Sequence, residues 1–92
     1  MTLTVINPFD QQIVAELPYN TDAEINAKLD RANAAFSTWS RVELEHRAEI
    51  VGNGLARLRE NAEQISRDVT LQMGKPITQS RAELNTLFDR AE

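Results

Sequence analysis

Residues 43–73 read ELEHRAEIVGNGLARLRENAEQISRDVTLQM, and the spacing of the apolar side chains within that stretch decides the fold class. Leu44, Ala48, Val51, Leu55, Leu58, Ala62, Ile65 and Val69 recur in steps of four and three. Residues three and four apart lie above one another on a helix, so this period marks one helical face. The stripe predicts a helix over about 43–73. It also fits the a and d seam of a coiled coil, which leaves open an autonomous helical interaction module that dimerises through Leu44 to Val69. Gly52 and Gly54 weigh against a freestanding coiled coil, because each costs about 1 kcal/mol relative to Ala inside a helix. A break is expected near Gly52 or near Glu60 to Ala62.

On the N-terminal side, Thr21-Asp22-Ala23-Glu24 has capping-box spacing: the Thr hydroxyl accepts the backbone N–H of Glu24, and the Glu24 carboxylate reaches back to the Thr N–H. A helix over 22–39 follows, with Ile25, Leu29, Ala32, Phe36 and Trp39 on one face and Asn26, Lys28, Asp30 and Asn33 opposite. Phe36 and Trp39 sit on the apolar stripe, which assigns them to core rather than to a ligand pocket. Before that helix, Leu3, Val5, Ile13, Ala15 and Leu17 alternate as two half-buried strands should, which predicts a β-hairpin over about 3–18. Pro8 cannot donate to a ladder and belongs in the connection; Pro18 closes the second strand. Asn7, Asn20 and Asn61 read as turn, capping or surface residues.

On the C-terminal side, Met73-Gly74-Lys75-Pro76 places a residue suited to the left-handed region after one helix and a proline at the start of the next. The third helix is expected over 76–92 with Ile77, Leu84, Leu87, Phe88 and Ala91 apolar. That stripe is still in phase at Glu92 without a stop signal, so the pattern predicts a helix that runs further in a longer chain. The expected fold class is α+β and mostly helical, a hairpin followed by three amphipathic helices in one unit of 92 residues.

Composition removes several classes of function. Ten basic against fourteen acidic residues give a net charge of −4 with no basic cluster, which disfavours nucleic acid as a partner. No signal peptide opens the chain, and no apolar run is long enough for a membrane span. The absence of cysteine removes thiol nucleophiles, zinc-thiolate sites and disulfides, and suits a cytoplasmic protein. His46 is the sole histidine. Its neighbours Glu43, Glu45 and Glu49 suggest a metal site less than a solvated face, because Glu43 with Arg47 and Arg41 with Glu45 have the i,i+4 spacing of helix ion pairs. Gly74-Lys75 is not a phosphate-binding loop: Val69 stands where that motif needs Gly, and Pro76 where it needs Ser or Thr. No residue is assigned a catalytic, cofactor-binding or metal-binding role.

The order of local signatures goes further. Ile6-Asn7-Pro8 followed by Ile13-Val14-Ala15-Glu16-Leu17-Pro18 resembles the opening hairpin of the aldehyde dehydrogenase superfamily, commonly I-N-P-x-T-G-E-x-I-A-x-V-P. Ala34-Ala35-Phe36-Ser37-Thr38-Trp39 is similar to its A-x-x-A-F-x-x-W, Glu45-His46-Arg47-Ala48-Glu49-Ile50 to E-R-A-x-x-L, and Leu71-Gln72-Met73-Gly74-Lys75-Pro76-Ile77 to L-E-M-G-K-P-L, with Arg81-Ala82-Glu83-Leu84 following at the usual distance. The sequence departs from the pattern at Phe9-Asp10-Gln11-Gln12, at Gln72, and at Gly52 and Gly54 in a helix usually free of glycine.

The resemblance implies that 1–92 is the N-terminal segment of the Rossmann-type cofactor domain of a much longer NAD- or NADP-dependent enzyme. Such an enzyme oxidises an aldehyde to a carboxylic acid by way of a cysteine thiohemiacetal. It also implies that the remainder of that polypeptide is the partner of this segment, that the whole enzyme is a homodimer or homotetramer, and that nucleophile, base and oxyanion donors lie outside 1–92. The segment alone is then expected to bind no cofactor and to be inactive.

Overall fold

The computed structural model describes residues 1–92. Its elements are β1 (Thr2–Ile6), β2 (Ile13–Pro18), α1 (Asp22–Trp39), α2 (Leu44–Glu60), α3 (Ala62–Met73) and α4 (Ile77–Ala91). The strands pair antiparallel, with Leu3 opposite Leu17 and Val5 opposite Ala15. The register then shifts: Ile6 pairs with Ile13, and Val14 stands as an extra residue on its strand.

The predicted hairpin and first helix are present, and the capping box is complete. Thr21 Oγ1 accepts from the Glu24 backbone at 3.2 Å, and Glu24 Oε2 accepts from the Thr21 backbone at 2.7 Å. The single helix expected over 43–73 is instead two, so the chain has four helices rather than three. Of the two places where a break is expected, it lies at the second, at Asn61 between Glu60 and Ala62, and not at Gly52. Asn61 Nδ2 donates to the Arg57 carbonyl at 3.0 Å, the acceptor that a continuous helix reserves for the Asn61 N–H, and that N–H turns to the Leu58 carbonyl at 3.1 Å. Local side-chain competition of this kind is what makes Asn a poor interior helix residue. Gly52 and Gly54 stay helical, with open space where a Cβ would be.

Gly74 takes the left-handed conformation expected of it, φ 72°, and its N–H closes α3 on the Thr70 carbonyl at 2.9 Å. Pro76 is the residue before α4 rather than its first residue, with ψ 143° still extended. Among the helices the best-packed pair is α3 with α4, and α2 meets α3 more loosely. Ser66 and Ser80 are fully buried there, their small side chains admitting close approach. Ser66 Oγ donates to the Ala62 carbonyl, and the Thr70 and Ser80 hydroxyls share a 2.8 Å hydrogen bond. Phe88 is the only buried large apolar residue, 3% exposed, and the Arg59 guanidinium lies 4.6 Å above its ring centroid. Arg59 also pairs with Glu92, tying the end of α2 to the end of α4.

The remaining surfaces are open. The radius of gyration is 17.3 Å, where a compact chain of this length has about 12 Å. The accessible surface is 7606 Å², against roughly 5,400 Å² for a folded monomer of 10.4 kDa. Helix α1 buries no residue at all. The expectation that Phe36 and Trp39 form core is corrected accordingly: Phe36 is 68% and Trp39 38% exposed. An amphipathic period names the face to be buried, and nothing within 1–92 covers this one.

Candidate functional site

Two places bring together residues from distant parts of the sequence. The first joins the hairpin tip to the α3–α4 junction. Asn7 is buried; its Oδ1 accepts from the Phe9 backbone at 2.9 Å, its N–H donates to the Gln12 carbonyl, and its carbonyl accepts from Gln11. This frame presents the Pro8 ring to Gly74. A Cβ on Gly74 would lie 3.0 Å from Pro8 Cγ and 3.3 Å from both Cβ and Cδ, so the approach is possible only because Gly74 has none. The Asn-Pro and Gly-Lys-Pro signatures therefore touch. Beside them an open recess of about 460 Å³ lies among Phe9, Asp10, Leu71 and Lys75, and Lys75 itself is paired with Glu83.

The second is a groove of about 370 Å³ between the end of α1, the first half of α2 and the end of α4, walled by Trp39, Leu44, Val51, Leu55 and Ala91. Gly52 lies in its lining, with open space where a Cβ would be. Arg47 is the sole charged residue of that lining. The expected Glu43–Arg47 and Arg41–Glu45 pairs are absent; the face instead carries a His46–Glu49 contact at 3.5 Å, with Glu43, Glu45, His46 and Glu49 all exposed. Arg47 is half-buried, and its Nε is shielded from solvent with no acceptor. Helical spacing conceals this arrangement, because it offers Arg47 a partner, Glu43, on its own helix.

Other charged groups form a surface lattice on α3 and α4. Arg81 donates to both carboxylate oxygens of Glu63, at 2.6 and 3.0 Å, and Arg67 lies 3.6 Å from the same carboxylate. The hydrogen bond from Arg81 holds the Glu63 carboxyl below its ordinary range. No group of three or more His, Asp and Glu side chains gathers to hold a metal ion. No helix is long and apolar enough to cross a membrane.

The strand-to-helix junction between β2 and α1 is where a dinucleotide would be sought, and its residues do not fit one. Tyr19-Asn20-Thr21 contains no glycine to let a pyrophosphate reach the backbone. The Glu24 N–H is taken by the Thr21 hydroxyl, and Asp22 and Glu24 place negative charge in the first turn, where an anion would need to sit.

The sequence model of the aldehyde dehydrogenase family matches residues 1–92. The chain is similar to malonate-semialdehyde dehydrogenase 1 of Shouchella clausii (strain KSM-K16), with 30% identity over 88 residues, covering 96% of this chain and 18% of that protein. Malonate-semialdehyde dehydrogenase of Bacillus velezensis is 31% identical over the same lengths, and malonate-semialdehyde dehydrogenase 1 of Bacillus thuringiensis is 30% identical. The chain thus spans 18% of the length of these curated relatives.

Proposed function

We propose that this chain, which belongs to the aldehyde dehydrogenase family, is the N-terminal part of a longer enzyme that oxidises an aldehyde to a carboxylic acid with NAD or NADP. Within that enzyme it is the outer part of a Rossmann-type cofactor domain, and its work is to pack and position rather than to react. The chemistry of the family rests on a cysteine nucleophile, and this chain has no cysteine. The observation that carries the reading is the open apolar face: well-formed helices expose roughly 2,200 Å² more surface than a compact chain of this mass. That is ample for burial against a sheet and a neighbouring domain.

The alternative, a module that dimerises along Leu44 to Val69, fits the structure less well. The stripe is interrupted at Asn61, and its second half, Ile65 and Val69, is already half-buried on α3. A coiled coil needs the whole seam straight and available.

The test is an assay of the whole gene product against a panel of aldehydes that includes malonate semialdehyde, the compound named for the relatives. Reduced nicotinamide is followed with NAD and with NADP. Turnover is expected from the whole product and none from residues 1–92, whose Trp39 fluorescence should not respond saturably to either cofactor. Turnover by the 92-residue chain, or a whole product that oxidises no aldehyde, overturns the reading.

A further inference from the structure

The Arg47 groove is apolar except for one cation. Its guanidinium takes part in none of the ion pairs of the chain, and its Nε has lost solvent without gaining an acceptor. Glu43, the acid one turn away at i−4, makes no pair with it, and Glu49 contacts His46. A buried donor left unmade carries the full desolvation penalty of its group, and for a cation that penalty is larger. Buried polar groups in folded proteins almost always have a partner, so an orphaned donor calls for one from outside the segment. Gly52 lies in the same lining, with nothing in the chain within 4 Å of an added Cβ, so this stretch of the wall is uncovered.

We propose that this groove receives an apolar segment of the longer polypeptide bearing one Asp or Glu, whose carboxylate pairs with Arg47 while its apolar neighbours cover Trp39, Leu44, Val51 and Leu55. The assignment rests on the reading of the chain as part of a larger enzyme and names what that enzyme places on this face. Charge complementarity selects an acid: the groove is cationic in a chain whose net charge is −4. The curated relatives, of which this chain spans 18%, have ample further sequence to supply it.

Two experiments test it. In the 92-residue chain, 8-anilinonaphthalene-1-sulfonate stands in for an apolar segment with an anion, and energy transfer from Trp39 reports its place in the groove. Arg47→Met keeps the aliphatic stem and should weaken binding of this probe about tenfold, the weight of one charge-assisted contact. Arg47→Lys should keep most of the affinity, and binding of the neutral dye Nile red should stay unchanged in both. Far-ultraviolet circular dichroism confirms that the variants retain their helices. Equal affinity of Arg47→Met for the anionic probe, or equal losses for both dyes, overturns the proposal.

In the whole gene product, Arg47→Glu should abolish soluble expression, and selection for restored solubility should return acid-to-base changes clustered at one position outside residues 1–92. Suppressors confined to 1–92, or none that reverse charge, overturn the proposal as well. Because the readout is solubility, charge-reversing suppressors in a product that oxidises no aldehyde would sink the enzymatic reading and leave the docking site standing.

Discussion

Replacing Gly74 with alanine sets two costs against the chain at once. Gly74 has φ 72°, a conformation that disfavours any residue with a Cβ by roughly 1–2 kcal/mol. The new Cβ would also lie 3.0 Å from Pro8 Cγ, so the proline ring must give by a few tenths of an ångström, and the hairpin tip that carries it is held by backbone hydrogen bonds at Asn7 and Gln11. Against this, alanine restricts the unfolded chain and returns about 0.5–1 kcal/mol. The net loss expected is about 2 kcal/mol, with the clash contributing about half. Urea titration followed by far-ultraviolet ellipticity measures the total. A double-mutant cycle with Pro8→Ala separates the parts, because removing the ring relieves the clash and leaves the backbone strain. The expected coupling is about 1 kcal/mol, with Gly74→Ala less harmful when Pro8 is gone. If Gly74→Ala is as stable as the parent, or if the two substitutions add without coupling, the hairpin tip does not rest on this junction and the reasoning fails.

Three further outcomes follow from the same coordinates. Gly54→Ala should stabilise α2 by about 0.5–1 kcal/mol, because Gly54 is helical with nothing within 4 Å of an added Cβ; a loss in urea midpoint would mean that α2 is not a regular helix there. Gln11 has φ 63° at the place where the family pattern carries Gly, so Gln11→Gly should gain roughly 0.5 kcal/mol from relieved strain less added chain entropy, read as slower hydrogen exchange at the Asn7 amide. The Glu63 carboxyl is held below its ordinary value near 4.5, first by its hydrogen bond with Arg81. The unfolded chain therefore takes up this proton first as acid is added, and the contribution is present above about pH 4.5 and lost as pH falls through the folded value. Urea midpoints across that window should fall less steeply for Glu63→Gln than for the parent, by a small margin that salt removes; identical slopes would refute the assignment.

The elements that the sequence made legible are those whose causes are local. Thr21 and Glu24 cap α1 from three residues apart, Gly74 ends α3 by its own conformational freedom, and alternation around Pro8 marks the hairpin. The break at Asn61 falls in one of the two places the sequence offered for it; the apolar steps run straight through both, and the competition of one amide for the Arg57 carbonyl decides between them. Ser66 and Ser80 escaped because a search for apolar positions passes over small hydroxyl residues that pack as tightly as alanine. For Phe36 and Trp39 the stripe predicts core, and the structure leaves both exposed, because periodicity names a face without supplying what covers it. Arg47 failed in the opposite sense: helical spacing supplied a plausible partner in Glu43, and the guanidinium lies in the groove instead.

The meeting of Pro8 with Gly74 closes β2, α1, α2 and α3 into a loop whose two ends are held together at one clasp. The entropy of closing a loop grows only with the logarithm of its length, about 0.6 kcal/mol for each doubling. Insertions in the turn from Ser40 to Glu43, or at Asn61, are therefore thermodynamically cheap, whereas a single carbon added at the clasp is not. Sequence drift should accumulate along the arc and stall at its fastening, and grafted epitopes or fluorescent tags belong at the former.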